Sequence, residues 1–294
     1  MCVMHYILLD IIGRGSFGEV YLAQHNKTNE KVAIKVEKKN PNDKNGMSAK
    51  RLKLEYKIYR YLRKNGFCSG IPKVFQFIET KDGYYMLVMQ LLKKNVDDFF
   101  CEYKRKFSIG TIFKFGIDIT RLLQSLHNCG FIHRDIKPSN FMFGYDNELY
   151  LMDLGLSKRY LTKGGKHIEL RYDKSFVGTA RFASNNVHYG LEPSRRDDLE
   201  SVGYMLVFFA KGILPWQGLK KKKDEKQIDL IGNKKLTTSK PVILCAGLPL
   251  CFEKYLTYCR SLKYEETPNY VYLVNLFIDE AKELNINIEY DFLH

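Results

Sequence analysis

Three glycines within six residues, Gly13, Gly15 and Gly18, stand between two stretches patterned as β-strands, and this placement constrains the fold more than any other feature of the chain. Upstream, residues 6–12 read Tyr-Ile-Leu-Leu-Asp-Ile-Ile; downstream, Glu19-Val20-Tyr21-Leu22-Ala23 resumes a strand pattern. The glycines therefore join strand to strand. Dinucleotide-binding folds use the same spacing, but there the turn opens a helix. Taken alone the motif has two readings. It is either a plain structural hairpin or a turn whose missing side chains let backbone N–H groups approach phosphates.

The next strand pattern, Val32-Ala33-Ile34-Lys35, places an ammonium among apolar neighbours, where it needs an anion. Residues 38–48 are polar and read as a loop. Residues 50–64 then carry Leu52, Leu54, Ile58, Tyr59 and Leu62 at helical spacing, with Glu55 beside the apolar stripe. Glu55 is the natural partner for Lys35, although a glutamate on a charged helix is equally at home on a surface. Residues 83–92 read as a buried strand ending in polar Lys93-Lys94-Asn95. From there the pattern turns helical, notably over 109–128, which Gly130 stops. Strands first and helices later predict an α+β fold of two lobes in one domain spanning 1–294, with the division near 91/92.

His133-Arg134-Asp135-Ile136-Lys137-Pro138-Ser139-Asn140 brings a carboxylate, an ammonium and an amide into one short loop, and it resembles the catalytic loop of protein kinases. A turn at 144–148 and a short strand at 149–152 follow, ending in Asp153-Leu154-Gly155. Phosphoryl transfer needs positioning and cations more than covalent chemistry. In that scheme Asp135 orients the attacking hydroxyl and accepts its proton, Lys137 offsets phosphoryl charge, and Asn140 and Asp153 supply oxygen ligands to Mg2+. His133 is expected to pack beneath the loop and Arg134 to tether it. The same resemblance implies ATP as phosphoryl donor. Its expected binding set is Ile12, Gly13, Arg14, Gly15, Ser16, Phe17, Gly18, Glu19 and Val20, with Ala33, Lys35, Glu55, Met89, Leu91 and Leu92.

Composition narrows the remaining classes. With 45 % apolar residues the chain has enough to bury a core, and its longest central apolar run, 205–210, is far shorter than the roughly 20 residues of a spanning helix. No signal-peptide pattern is present, so a soluble protein of cytoplasm or nucleus is expected. Seven scattered cysteines lack C-x-x-C spacing and read as reduced structural thiols. A formal charge of +14 favours anionic partners. No nucleic-acid recognition motif accompanies it. The run Lys220 to Lys223 fits a solvated loop, a phosphate site or an import signal.

Three longer strings sharpen the resemblance. Gly178-Thr179-Ala180-Arg181-Phe182-Ala183-Ser184-Asn185-Asn186, the stretch from Ser194 to Tyr204, and Leu214-Pro215-Trp216-Gln217-Gly218-Leu219-Lys220 are similar to the casein kinase 1 family, with Ser184-Asn185-Asn186 where most protein kinases carry Ala-Pro-Glu. The resemblance implies a monomeric Ser/Thr kinase acting on acidic or phosphate-primed proteins. It assigns Arg181 to a substrate anion site, where Gly218 is expected to take part and Lys221 and Lys222 to stand in for basic residues of the family that are displaced here; it assigns Thr179 to contact with Asp135 and Lys137, and Asp198 to support of the catalytic loop. The chain departs from the family at Leu154, usually Phe, at Gln90, usually acidic, at Lys93-Lys94-Asn95, and in the acidic interruptions Asp224 and Glu225. Its end at His294 is expected to leave the kinase without a long regulatory tail, controlled by location or partners.

Overall fold

Alternation of apolar side chains in the first third of the chain produces an antiparallel sheet. In the computed structural model, described over residues 2–3, 5–15, 18–39, 47–220 and 225–293, strands β1 (Cys2–Val3), β2 (Tyr6–Gly15), β3 (Gly18–His25), β4 (Lys31–Lys38), β5 (Val74–Glu79) and β6 (Tyr84–Gln90) lie in the order β1-β2-β3-β4-β6-β5. Side chains alternate between faces along a strand. Val32 and Ile34 therefore join Tyr6, Ala23, Ile78, Met86 and Val88 in a buried cluster, while Ala33, Lys35 and Glu37 belong to the opposite face. The glycine motif is the β2–β3 hairpin, with Gly15 opposite Gly18 and Val20 opposite Lys35.

Helix α1 (Met47–Lys64) packs on β5, β6 and residues 154–156. Leu52, Glu55, Ile58, Tyr59 and Leu62 form its buried side. Leu54, expected in that stripe, is 46 % exposed instead. Two residues along a helix turn the side chain about 200°, so Leu54 cannot share a face with Leu52. Of the loop expected over 38–48, residues 40–46 lie outside the described residues.

Two compact units result, one of Met1–Lys94 with Phe141–Leu156, the other of Asn95–Asn140 with Ser157–His294. The first takes in a segment from mid-chain because short strands Phe141–Phe143 and Leu149–Leu151 pair with each other, and Leu151 N–H donates to Gly70 O at 2.8 Å. Their connecting turn is the expected one, with Asn147 at φ 62°.

The second unit is mainly helical: α2 (Val96–Glu102), α3 (Ile109–Asn128), α4 (Asn185–His188), α5 (Arg195–Lys211), α6 (Gln227–Thr238), α7 (Pro241–Leu244), α8 (Leu250–Ser261) and α9 (Tyr270–Glu283). Asn95 of the polar Lys93-Lys94-Asn95 stretch caps α2 by accepting from Asp98 N–H at 2.9 Å. Ser108 Oγ caps α3 in the same way, and Gly130 at φ 83° ends it. α3 packs against α5 and α9. The approach to α9 requires Gly116, where a Cβ would fall 2.6 Å from the Phe277 ring. Ile112, Phe113, Phe115, Ile119, Leu123 and Leu126 are buried along α3, each contributing roughly 1.5–3 kcal/mol where its side chain is fully covered. The apolar run 205–210 lies within α5. Among the described residues no helix is long and apolar enough to cross a membrane.

The corrected helix face has a direct consequence. Leu52→Ala is expected to cost about 2–5 kcal/mol through the cavity it leaves, and Leu54→Ala no more than about 0.5 kcal/mol. Thermal midpoints of the two variants, measured in parallel, distinguish this assignment from one in which both leucines face the core.

Candidate active site

The residues singled out by sequence form two clusters, one in each unit. In the first unit Lys35 Nζ lies 2.9 Å from Glu55 Oε2 and 3.1 Å from Asp153 Oδ1. Burial alone would pull the lysine pKa down. The two carboxylates outweigh it and hold the ammonium above its ordinary value. Burial raises the Glu55 carboxyl, with Lys35 opposing. A buried glutamate of this kind is stable only while paired. Asp153 has φ 56°, a left-handed conformation at the end of its strand. A second pair, Arg51 Nη2 to Glu37 Oε1 at 3.1 Å, ties α1 to β4 on the same side of the sheet.

Beside Lys35 the glycines divide into two kinds. A Cβ on Gly18 would meet the Val36 carbonyl oxygen at 2.0 Å, so the approach of β4 to the start of β3 demands glycine there. Gly13 and Gly15 have room for a Cβ and no positive φ. Arg14 and Glu19 pair across the hairpin at 3.2 Å, and Ile12 is exposed at its base. Ala33, Met89 and Leu92 are buried, while Leu91 lines a groove with Phe75, Gln90 and Tyr145. Gln90 Oε1 accepts from Lys73 N–H at 3.1 Å. Ser16 and Phe17 lie outside the described residues, as do Lys221 to Lys223.

In the second unit Asp135, 6 % exposed, is held on both oxygens. Thr179 Oγ1 donates to Oδ1 at 2.7 Å, and Lys137 Nζ lies 2.8 Å from Oδ2. Asn140 Nδ2 donates to the Asp135 carbonyl at 2.7 Å and more weakly to Oδ2 at 3.3 Å, which leaves its amide oxygen as the atom to face a cation. His133 is fully buried, and its Nδ1 accepts from Asp135 N–H at 3.2 Å. That contact places it under the loop, as expected. Gly178, at φ 100°, passes so close that a Cβ would lie 2.4 Å from the Arg134 carbonyl oxygen.

The loop backbone hangs on Asp198, near the start of α5. Its Oδ2 accepts from His133 N–H at 2.7 Å and its Oδ1 from Arg134 N–H at 2.9 Å, with Arg134 at φ 70°. Burial by itself would raise this carboxyl. The hydrogen bond from His127 and the loop N–H group outweigh burial and lower its pKa. His127 Nε2 lies 2.9 Å from Asp198 Oδ2 and its Nδ1 2.7 Å from Tyr270 Oη. Burial lowers the His127 pKa against the pull of Asp198. The neutral ring thus donates from Nε2 to the carboxylate and accepts the tyrosine proton at Nδ1. His127 and Tyr270 carry no local motif, so the sequence alone did not reveal them.

Of the residues expected to bind a substrate anion, Arg181 stacks its guanidinium over Phe182 and Phe208 at 5.7 and 5.6 Å. Gly218 has φ 69° with open space around it. Lys221 and Lys222, the rest of that set, are among the residues not described.

Asp198→Asn is expected to orphan loop N–H groups at about 1–3 kcal/mol each and to accelerate hydrogen exchange at His133 and Arg134. Because the folded carboxyl is depressed, its stabilisation is complete above the unfolded value of about 3.9 and is lost as pH falls through the lower folded value. The stability gap between wild type and variant should therefore narrow only in strong acid. A gap constant from pH 7 to pH 2 would contradict the role given to the ionised carboxylate.

The protein kinase domain model matches residues 6–243, a span that contains both clusters. Coverage of most of the chain shows the family: this chain belongs to the protein kinases, phosphotransferases whose phosphoryl donor is ATP.

Proposed function

We propose that residues 1–294 act as one Ser/Thr protein kinase domain of the casein kinase 1 type, transferring the ATP γ-phosphoryl group to hydroxyls in acidic or phosphate-primed proteins of the cytoplasm or nucleus. The observation that carries this reading is the Asp135 carboxylate, bonded at once to Thr179, Lys137 and the loop amide of Asn140. A carboxylate so fixed accepts the proton of a substrate hydroxyl while the oxygen attacks the γ-phosphorus. The O–H bond breaks, the new O–P bond forms, and the electron pair of the departing P–O bond leaves with ADP. Lys137, already beside the base, offsets charge on the moving phosphoryl group.

Lys35, oriented by Glu55, meets the phosphates of ATP, and Gly13 and Gly15, lacking side chains, let phosphates come close to the hairpin backbone. The Asn140 amide oxygen and the Asp153 carboxylate are each the kind of hard oxygen donor that Mg2+ takes. Such an ion would neutralise phosphate charge. Arg181, propped on two aromatic rings, has the fork geometry to take a phosphate or carboxylate of the substrate.

Label transfer from ATP to casein tests the assignment. Asp135→Asn and Lys35→Met should each lose about 10²–10⁴-fold in kcat, with label on Ser or Thr; equal incorporation in all three proteins, or label on Tyr, would overturn it. A peptide carrying phosphoserine upstream of its target should be preferred over its unphosphorylated twin. Arg181→Ala should reduce that preference about 10–100-fold, the loss matching a charge-assisted hydrogen bond of about 1.5–3 kcal/mol.

A further inference from the structure

Lys235 on α6 has no solvent exposure, yet among the described residues no carboxylate lies within ion-pair distance of it. Its Nζ donates to two backbone carbonyls, Ala180 O at 2.9 Å and Ala183 O at 2.5 Å. The ammonium also lies 4.9 Å from the ring centroids of both Tyr204 and Trp216. Burying a long charged side chain is costly, and packing alone would be served better by methionine. Something about the two carbonyls requires a donor.

Those carbonyls belong to the turn after Gly178, which bears Thr179 at one end and Arg181 at its middle. Phe182 and Ala183 N–H groups both close onto Thr179 O. The outward carbonyls are taken by side chains from elsewhere in the fold. Trp216 Nε1 donates to Arg181 O at 2.7 Å, and His188 Nε2 lies 3.2 Å from Ala180 O. Lys235 bridges the first and last of them. The peptide it grips at Ala180 adjoins Thr179, whose hydroxyl holds Asp135 at 2.7 Å.

We propose that Lys235 is a positioning residue for protein substrates, clamping the Ala180 and Ala183 carbonyls so that Thr179 is held against Asp135 and Arg181 is presented to the substrate. This rests on the reading of Asp135 as the proton acceptor and of Arg181 as the anion contact. The groups facing the ammonium are consistent with a tuned charge. Burial lowers its pKa to about 7, Glu200 of α5 opposes that shift, and Arg260 of α8 reinforces it. His188 of α4 is itself depressed to about 4, first by burial and then by the Lys235 charge. It is therefore neutral near pH 7 and free to donate to Ala180. Tyr204 Oη, whose ring lies against the ammonium, is engaged with Glu200 at 2.6 Å.

The test compares wild type, Lys235→Gln and Lys235→Met on the full chain, with steady-state kinetics toward a primed peptide and toward ATP and with hydrogen exchange of residues 179–183. Lys235→Met should raise peptide KM about tenfold or more, the equivalent of about 1.4 kcal/mol, while ATP KM stays within about twofold. Lys235→Gln, which keeps a neutral donor, should fall between the two. Exchange at residues 179–183 should quicken in the same order. Unchanged peptide KM and exchange in Lys235→Met would overturn the proposal, as would equal losses toward ATP and peptide, which signify a general packing defect. If wild type phosphorylates no peptide, the functional reading fails on its own account, and the exchange data still report whether Lys235 holds the turn.

Discussion

One buried carboxylate, that of Asp198, sets the shape of the loop on which the chemistry depends. A chain segment that turns back on itself with Arg134 at φ 70° has backbone N–H groups that no helix or strand can satisfy. Asp198 accepts two of them with its two oxygens. It then needs to remain ionised although buried, and the Tyr270–His127 chain supplies that by donating to it through a neutral ring. Three helices, α3, α5 and α9, thus contribute one residue each to a single polar line ending at the loop. The helix packing that places α3 against α5 and α9 is what brings the line together, with Gly116 permitting the close approach to Phe277.

The first unit solves a different problem by a different device. Under the proposed function Lys35 meets an anion that is not part of the protein, so its charge must persist when that anion is absent. Glu55 and Asp153 perform this function, and their attraction exceeds the desolvation that would otherwise neutralise the lysine. Glu55 in turn is buried so completely that it is costly without Lys35. The pair also fixes α1 to the sheet, reinforced by Arg51 with Glu37. Organisation of the Lys35 charge and docking of the helix are consequently one interaction.

Much of this was legible in the sequence where function lies in short motifs. The strand-to-strand glycine turn, the Lys35–Glu55 pair and the closeness of Asp135, Lys137 and Asn140 fall where the residues indicated, while the Thr179 contact with Asp135 came from the family resemblance. Local spacing suffices there because each group acts within its own loop or strand, or pairs with a partner on the neighbouring element. What escaped was long-range or angular. Leu54 fits a loose helical count but lies about 200° from Leu52. His127 and Tyr270 look like an ordinary helix residue and an ordinary aromatic. Lys235 sits in a Lys-Lys pair on a polar helix and reads as surface; only tertiary packing shows it fully covered.

The glycines show how the same residue type can answer to different constraints. Gly18 and Gly178 are dictated by the protein: each presses against a backbone carbonyl, and Gly178 also adopts a conformation closed to most side chains. Their conservation in a functional variant would carry no information about a ligand. Gly13 and Gly15 have neither restriction, since a methyl group would fit at both and their backbones are extended. Neither packing nor backbone conformation calls for glycine at these two positions. Under the proposed function the reason is an anion drawn close to the hairpin backbone, with Lys35 as its counter-charge on the next strand but one.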